Sequence, residues 1–144
     1  MAEDHICLFI GDINDTVIPD QLSVCGIIVD VAIPPDSLSR RPYKLALDDG
    51  TGVLDVVIWR NDMPEWAKDL VIGDSVLARG TPKLFRNNLQ LSVRSLKKVV
   101  DRNYETLWIN KCIYEKKQRE EKRRREERRE EEKRISVAMQ NLLL

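Results

Sequence analysis

Residues 43–59 have the sequence Tyr-Lys-Leu-Ala-Leu-Asp-Asp-Gly-Thr-Gly-Val-Leu-Asp-Val-Val-Ile-Trp. On both sides of the central Asp-Asp-Gly-Thr-Gly, apolar residues alternate with others at the period of a half-buried strand. Asp49-Gly50 and Gly52 would supply the positive φ angles that a tight turn requires. The segment therefore predicts two short strands joined by a turn and followed by the aromatic Trp59, a pattern typical of a binding module rather than of a catalytic centre.

Four further segments have the β-branched composition or the alternation of strands. They are residues 7–10, 24–33, 71–80 and 89–93. A glycine inside a strand often marks a bend, and Gly26 is the candidate for a bend that lets one long strand serve two parts of a small barrel. Asn87-Asn88 tolerates left-handed backbone and is predicted to link the last two strands.

Two segments predict helices. Asp62 can cap a short helix over residues 62–70, in which Trp66 and Leu70 would face inward. A second helix is predicted over residues 103–114, whose apolar residues at helical spacing are Tyr104, Leu107, Trp108 and Cys112. After the short segment at 7–10, which precedes the barrel, five strands with a helix between the third and fourth have the order of an OB-fold. The predicted fold class is mainly β with helices: a five-stranded OB-fold barrel with a C-terminal α-helix.

The chain changes character at residue 115. Of residues 115–134, 19 of 20 are charged, with opposite charges four apart, as in Glu121 and Arg125. Each such pair stabilises a helix by about 0.2–0.5 kcal/mol, so the C-terminal helix is predicted to continue as a solvated rod of roughly 30 Å. We therefore expect an OB-fold domain with its packing helix at 1–114, a charged helical spacer at 115–134 and an apolar docking tail at 135–144.

The distribution of charge along the chain argues against a strongly basic barrel surface. The formal net charge is zero, but residues 115–134 hold 11 Lys/Arg and 8 Asp/Glu, which leaves the rest of the chain with 13 against 16, a net of −3. The barrel is thus not a strongly basic surface that would attract nucleic acid by charge alone. There is neither an 18-residue apolar run nor a charged-then-apolar start, so no membrane insertion or secretion is expected, and a cytosolic or nuclear protein follows.

The residue types needed for catalysis or metal binding are scarce. His5 is the one histidine and has no nucleophile or ligand near it in sequence, while Asp48-Asp49 is predicted to serve a turn. The three cysteines, at positions 7, 25 and 112, lie far apart and are interpreted as small buried hydrophobic residues in a reducing compartment. We predict no catalytic residue, no metal site and no cofactor.

Several short motifs occur in a fixed order along residues 6–114. They are Leu8-Phe-Ile-Gly-Asp12, Leu47-Asp-Asp-Gly-Thr-Gly-Val53, Ile58-Trp59, Ile72-Gly-Asp-Ser-Val76 ahead of Arg79-Gly80, Leu84-Phe-Arg86 and Glu105-Thr-Leu-Trp108. In this order they resemble the Stn-type OB-fold subunit of the telomeric CST complex and, less closely, the middle subunit of replication protein A.

The resemblance implies a non-enzymatic subunit of a telomere-capping complex that binds single-stranded DNA, located in the nucleus at chromosome telomeres. It implies a heterodimer with a smaller OB-fold subunit through the C-terminal helix, and a larger scaffold subunit in the same complex. Many Stn-type proteins carry winged-helix domains after the barrel, where this chain has the charged rod and the tail. Two alternatives stay open: a structural adaptor whose barrel contacts only protein, and a middle-subunit-like component of a general replication complex.

Candidate DNA-binding residues lie after the third strand and around the last hairpin. An OB-fold groove binds single strands by stacking bases on aromatic side chains and by lining the phosphate path with cations. Trp59 falls on the strand face opposite Leu54, Val56 and Ile58, so it is expected to point out of the barrel. The residues placed for this role are Trp59, Phe85, Lys83, Arg86 and Arg94. Equally open are a Trp59 that plugs a barrel end, a Phe85 packed under a loop, and cations that are merely solvated.

Candidate partner-binding residues lie on the C-terminal helix. Those expected to contact the smaller subunit are Tyr104, Leu107, Trp108 and Cys112, and those expected to dock the tail are Ile135, Met139, Leu142 and Leu143. A free terminus this apolar needs a surface to pack on. The tail could serve a second partner, continue the first interface, or pair two copies of the chain.

Overall fold

The computed structural model describes residues 6–13, 18–33, 41–59 and 63–143. The expectations for His5, for a cap at Asp62 and for Leu144 concern residues outside these ranges. The elements are β1 (Ile6–Cys7), β2 (Leu22–Ala32), β3 (Tyr43–Asp48), β4 (Val53–Ile58), β5 (Ser75–Phe85), β6 (Asn88–Lys98) and α1 (Arg102–Leu142), with 3₁₀ segments at Ile10–Asp12 and Glu65–Asp69.

Five of the strands close into a barrel in the order β2-β3-β4-β6-β5, and β5 pairs again with β2. All neighbours are antiparallel except β4 and β6, which are parallel. The predicted OB-fold is confirmed. The first barrel strand pairs with β5 over Leu22–Ile27 and with β3 over Ile27–Ala32. Gly26 lies at this changeover, where a Cβ would come within 2.9 Å of the Asp48 carbonyl oxygen, so only glycine allows the two strands to approach so closely.

The turn between β3 and β4 is held by the side chain of Asp49. Its carboxylate accepts hydrogen bonds from the Ile10 N–H at 2.7 Å and the Thr51 N–H at 2.9 Å. Gly50 has φ +86°, as a tight turn requires, but Gly52 does not have positive φ. The expected role for Gly52 was therefore wrong: a Cβ there would meet the Ile10 side chain at 3.1 Å, so the position requires a small residue for contact with the chain entering the barrel.

The connection between β4 and β5 differs from the expected helix. Residues 65–69 form a 3₁₀ segment, in which positions three apart share a face. Ala67 and Leu70 are consequently buried, at 4% and 6% exposure, while Trp66 is 38% exposed. The prediction that Trp66 faces inward assumed α-helical spacing and was wrong.

The hairpin of β5 and β6 is longer than the alternation indicated. Both strands have 11 residues and pair as far as Phe85 opposite Asn88. Arg86 and Asn87 carry the left-handed turn, with φ of 50° and 66°. The expected Asn87-Asn88 link is thus displaced by one residue, and Asn88 belongs to β6.

The helix α1 begins at an N-cap, where the Asp101 side chain accepts from the Asn103 N–H. Its 41 residues correspond to about 60 Å. Ser75 Oγ donates to Glu105, the Cys7 N–H donates to Glu115 at 3.3 Å, and Lys116 pairs with Asp12 at 3.2 Å. These contacts fix the first third of the helix to the barrel.

The helix faces Ile6, Leu8 and Pro19 as far as Arg123 and projects from the barrel beyond that residue. Its exposed charges pair along its own surface. Glu121–Arg125, Arg123–Glu127 and Glu130–Arg134 are ion pairs of 3.7–3.8 Å at i,i+4 spacing. The predicted packing helix, the charged spacer at 115–134 and the apolar tail at 135–144 thus belong to one continuous helix. The separate roles of the spacer and the tail stay a prediction. No helix within the described part of the chain has the length and apolar character needed to cross a membrane.

Candidate nucleic-acid interface

The outer face of β3, β4, β6 and β5 brings the sequence-predicted cations and aromatic residues onto one surface. In register across these strands lie Ala46, Asp55, Gln90 and Lys83. The alternate residues of β4 point inward, since Leu54, Val56 and Ile58 are at most 4% exposed. Residues in register on neighbouring strands share one face of a sheet, so this row defines a continuous outer surface.

Trp59 follows β4 directly and is 48% exposed. Its position continues the outward parity of Asp55 and Val57, and Ile58 before it is fully buried. Trp59 is therefore not a plug inside the barrel. Nearly half of the surface of this residue is accessible, and an accessible aromatic side chain can stack with a planar ligand.

At the other end of this face, the tip of the β5–β6 hairpin presents Phe85 and Arg86. Phe85 is 55% exposed, and the Arg86 guanidinium carbon lies 5.3 Å from the centre of its ring. This cation–π contact orients the cation beside the aromatic face. Leu84 is also exposed at 59%, so the tip combines apolar surface with positive charge.

The remaining cations of this face are Lys83 and Arg94, both exposed. Arg94 lies at a register shift between β5 and β6, where the pairing passes from Gly80–Val93 to Arg79–Ser95. A bulge of this kind directs its extra residue away from the sheet. The carboxylate of Asp55 on this face is paired with Lys44 at 3.3 Å, so the three cations Lys83, Arg86 and Arg94 give the face a positive balance despite the acidic barrel.

Trp59 and Phe85 are not brought together. Phe85 pairs with Asn88, whereas β4 pairs with β6 as far as Val57 opposite Ser92, and Trp59 follows two residues later. Four residues of strand separate Asn88 from Ser92, which is roughly 13 Å, and Trp59 lies beyond that level. The two aromatic residues thus mark opposite ends of one face, with the cations between and beside them.

The predicted partner stripe on α1 divides into two faces. Trp108 and Cys112 are 6% and 1% exposed and pack on Cys7, Cys25 and Leu77 of the same chain. They hold the helix on its own barrel, and the prediction that they face a partner was wrong because helical spacing alone does not tell which surface covers a stripe.

The other predicted partner residues are accessible. Tyr104 is 38% exposed and Leu107 is 66% exposed. In the tail, exposure ranges from 56% to 87% for Ile135, Met139, Leu142 and Leu143. These six side chains are available for contact with another molecule, although none of them touches the candidate DNA-binding face.

A groove of about 380 Å³ between α1 and the barrel was not predicted. Its apolar lining comes from Phe9, Ile27, Val29, Trp108 and Ile109. Ile27 and Val29 are 46% and 41% exposed on either side of the buried Ile28. This outward apolar pair on β2 was visible in the sequence as an uninterrupted β-branched run, but the position of α1 beside it was not.

The cysteines are free and buried, as expected. Burial raises the pKa of the Cys25 thiol to about 11, and the carboxylates of Glu105 and Asp49 act in the same direction. A hydrogen bond with Cys7, together with burial, raises the pKa of Cys112. Thiols with a raised pKa, such as Cys25 and Cys112, are poor nucleophiles at neutral pH, whereas the hydrogen bond with Cys112 lowers the pKa of Cys7. Within the described residues, no group of three or more His, Cys, Asp or Glu side chains is arranged to hold a metal ion.

Comparison with protein-family models gives one match, to the tRNA anticodon family described as an OB-fold nucleic acid binding domain, over residues 22–99. The matched residues contain all five strands of the barrel. A search of curated protein sequences finds no significant match.

Solved structures similar to this chain include the Stn1–Ten1 complex of S. pombe, with a TM-score of 0.61, 26% identity, and coverage of 68% of this chain and 71% of that one. A replication protein A heterotrimer bound to single-stranded DNA matches with a TM-score of 0.58 and 20% identity, covering 69% and 74%. An asparaginyl-tRNA synthetase of Pyrococcus horikoshii matches with a TM-score of 0.54 and 17% identity, covering 64% of this chain but 22% of the enzyme. The resemblance to the Stn-type subunit predicted from the sequence is confirmed, and the likenesses to replication protein A and to the enzyme are ones of fold.

Proposed function

Because this chain belongs to the family of OB-fold nucleic acid binding domains, we propose that it is a non-catalytic subunit that binds single-stranded DNA on the outer face of β3, β4, β6 and β5. The observation that carries the proposal is the half-exposed Trp59 at one end of this face and the Phe85–Arg86 pair at the other. Stacking on exposed aromatic side chains contributes about 1–3 kcal/mol per base and tolerates any base sequence.

Weak binding is expected for the isolated chain. Three cations, Lys83, Arg86 and Arg94, line the face, and the chain outside residues 115–134 has a net charge of −3. Neutralising about three phosphates of a single strand gives a slope of log K against log salt of about −2. A complex of several OB-folds on one strand gains affinity because each further barrel binds a strand that is already held nearby.

The experiment is fluorescence anisotropy of a labelled single-stranded oligonucleotide at two salt concentrations. Trp59→Ala should weaken binding about tenfold through loss of one stacking contact. Trp66→Ala is the matched control, because Trp66 is 38% exposed but lies in the 3₁₀ segment outside this face. Absence of binding at low salt, or equal losses for the two variants, would favour the adaptor, in which the barrel contacts protein alone.

For the smaller OB-fold partner we propose the groove between α1 and β2. The S. pombe protein with which this chain shares 26% identity was crystallised as a complex with Ten1. The groove combines exposed apolar side chains, Ile27, Val29 and Ile109, with the anchored and therefore rigid part of α1. An aspartate at Ile109 should abolish co-purification of the partner, whereas Val100→Asp, at a position 85% exposed and outside the groove, should not.

A telomeric, nuclear role rests on the likeness to the Stn1–Ten1 complex of S. pombe. The likeness to replication protein A supports the runner-up, a component of a general replication complex. Preferential binding of repetitive telomeric single strands over a mixed-sequence strand of equal length would favour the first. The larger scaffold subunit expected at residues 135–144 stays a prediction.

A further inference from the structure

Six residues of α1 lie at strict intervals of seven: Leu107, Tyr114, Glu121, Arg128, Ile135 and Leu142. The four apolar members are well exposed, from 56% for Ile135 to 82% for Leu142. An α-helix has 3.6 residues per turn, so a seven-residue series drifts around an isolated straight helix. It stays on one seam only when two helices wrap around each other in a left-handed sense.

The series is symmetric about its own centre. When the helix is laid against a second copy running in the opposite direction, with the midpoint between residues 124 and 125, Leu107 lies level with Leu142. In the same register Tyr114 lies level with Ile135, and Glu121 with Arg128. Apolar residues thus meet apolar residues at both ends, and acid meets base in the middle.

Two other level pairs lie close to the seam. Lys117 and Glu132 lie about 30° on either side of it and join opposite charges, whereas Arg124 and Arg125 lie about 50° from it and join like charges. The other level pairs of residues 115–134, such as Arg119–Glu130 and Arg123–Glu126, lie on the flanks or the far side of the helix and do not bear on the register. A parallel pair would instead set each charged residue against its own copy.

The barrel leaves this seam accessible. The chain's own barrel covers α1 on the side of Trp108 and Cys112, while Leu107 and Tyr114 are 66% and 63% exposed. The apolar tail begins 12 residues after Arg123, which still lines a groove with Ile6 and Leu8, and this is about 18 Å further along a continuous helix. It therefore cannot fold back onto its own barrel while α1 remains straight.

We propose that two copies of this chain associate through an antiparallel pairing of α1, in which the tail of each copy covers Leu107 and Tyr114 of the other. In this arrangement the tail binds a second copy of the chain, in place of the larger scaffold subunit expected from the sequence. The charged centre sets the direction and the register, and the two apolar ends supply the contact area. The inference is independent of whether the barrel binds DNA.

The test measures the dimer dissociation constant of the full chain by analytical ultracentrifugation. Glu121→Arg and Arg128→Glu each replace two symmetry-related attractions by repulsions and should each weaken the dimer about tenfold. The double variant restores opposite charges across an antiparallel pair, and it should return to within about threefold of the original chain. In a parallel pair each of these residues would face its own copy, so the double variant would not regain association. A chain that does not dimerise would show no association in any variant.

Glu130→Arg is the matched control. It makes the same change of net charge and breaks an i,i+4 pair of 3.8 Å, as Glu121→Arg does, but it lies two residues beyond Arg128 and so about 200° around the helix. Circular dichroism at 222 nm checks that each variant keeps its helix. A chain that stays monomeric at all concentrations, a double variant as weak as the single ones, or an equal loss in Glu130→Arg would overturn the proposal.

Discussion

Replacing Trp108 by alanine tests how α1 is attached to the barrel. Trp108 is 6% exposed and packs with Cys112 against Cys7, Cys25 and Leu77. Truncation of a buried tryptophan to alanine costs about 3–5 kcal/mol through lost contacts and the cavity left behind. Since small domains are stable by about 5–15 kcal/mol, the variant should lose about a fifth or more of its stability.

Urea unfolding followed by circular dichroism measures this loss, with Leu107→Ala as the control. Leu107 is the adjacent residue and is 66% exposed, so its truncation should change the free energy of unfolding of the monomer by about 0.5 kcal/mol or less. Hydrogen exchange should also quicken at residues 105–116 in the tryptophan variant, because the helix loses its main contact with the barrel. A loss below about 1 kcal/mol for Trp108→Ala, or equal losses for both variants, would refute the assignment of Trp108 to the chain's own core.

Two further changes probe the barrel. Gly26→Ala should destabilise the fold by about 1–3 kcal/mol, because the new Cβ would lie 2.9 Å from the Asp48 carbonyl oxygen. An unchanged urea midpoint would contradict this expectation and would show that β2 and β3 can separate there. The contribution of Cys25 to the stability should be constant below pH 9 and fall between pH 9 and 11, since the unfolded chain releases the proton of Cys25 near 9.0 while the folded chain holds it to about 11. Cys25→Ala should remove about 2 kcal/mol of that fall, and an identical pH profile in the variant would contradict the assignment.

Local pattern was sufficient to predict the barrel. The β3–β4 hairpin, the long first barrel strand with its changeover at Gly26, and the outward parity of Trp59 all follow from alternation and turn chemistry, which act over a few residues. The error in the segment between β4 and β5 arose because the same residues are compatible with two kinds of helix. Trp66 was misplaced because a 3₁₀ segment and an α-helix bury different positions of the same sequence.

The candidate sites depend on contacts between distant segments, and the sequence predicted them less completely. The spacing of Tyr104, Leu107, Trp108 and Cys112 indicated a helix with an apolar stripe, but it could not distinguish burial against β2 and β5 from burial against a partner. The groove beside Ile109 was missed for the same reason, since it exists only where α1 meets the barrel. The separation of Trp59 and Phe85 along one face required the strand register.

Photo-crosslinking of a single-stranded oligonucleotide to the full chain, followed by identification of the modified peptides, tests the proposed function most directly. We expect crosslinks at Trp59 and at the hairpin tip that includes Phe85, the two ends of the outer face of β3, β4, β6 and β5. These crosslinks should be lost as salt is raised. Crosslinks confined to α1 or to the 3₁₀ segment at Glu65–Asp69, or none at low salt, would contradict the proposed function.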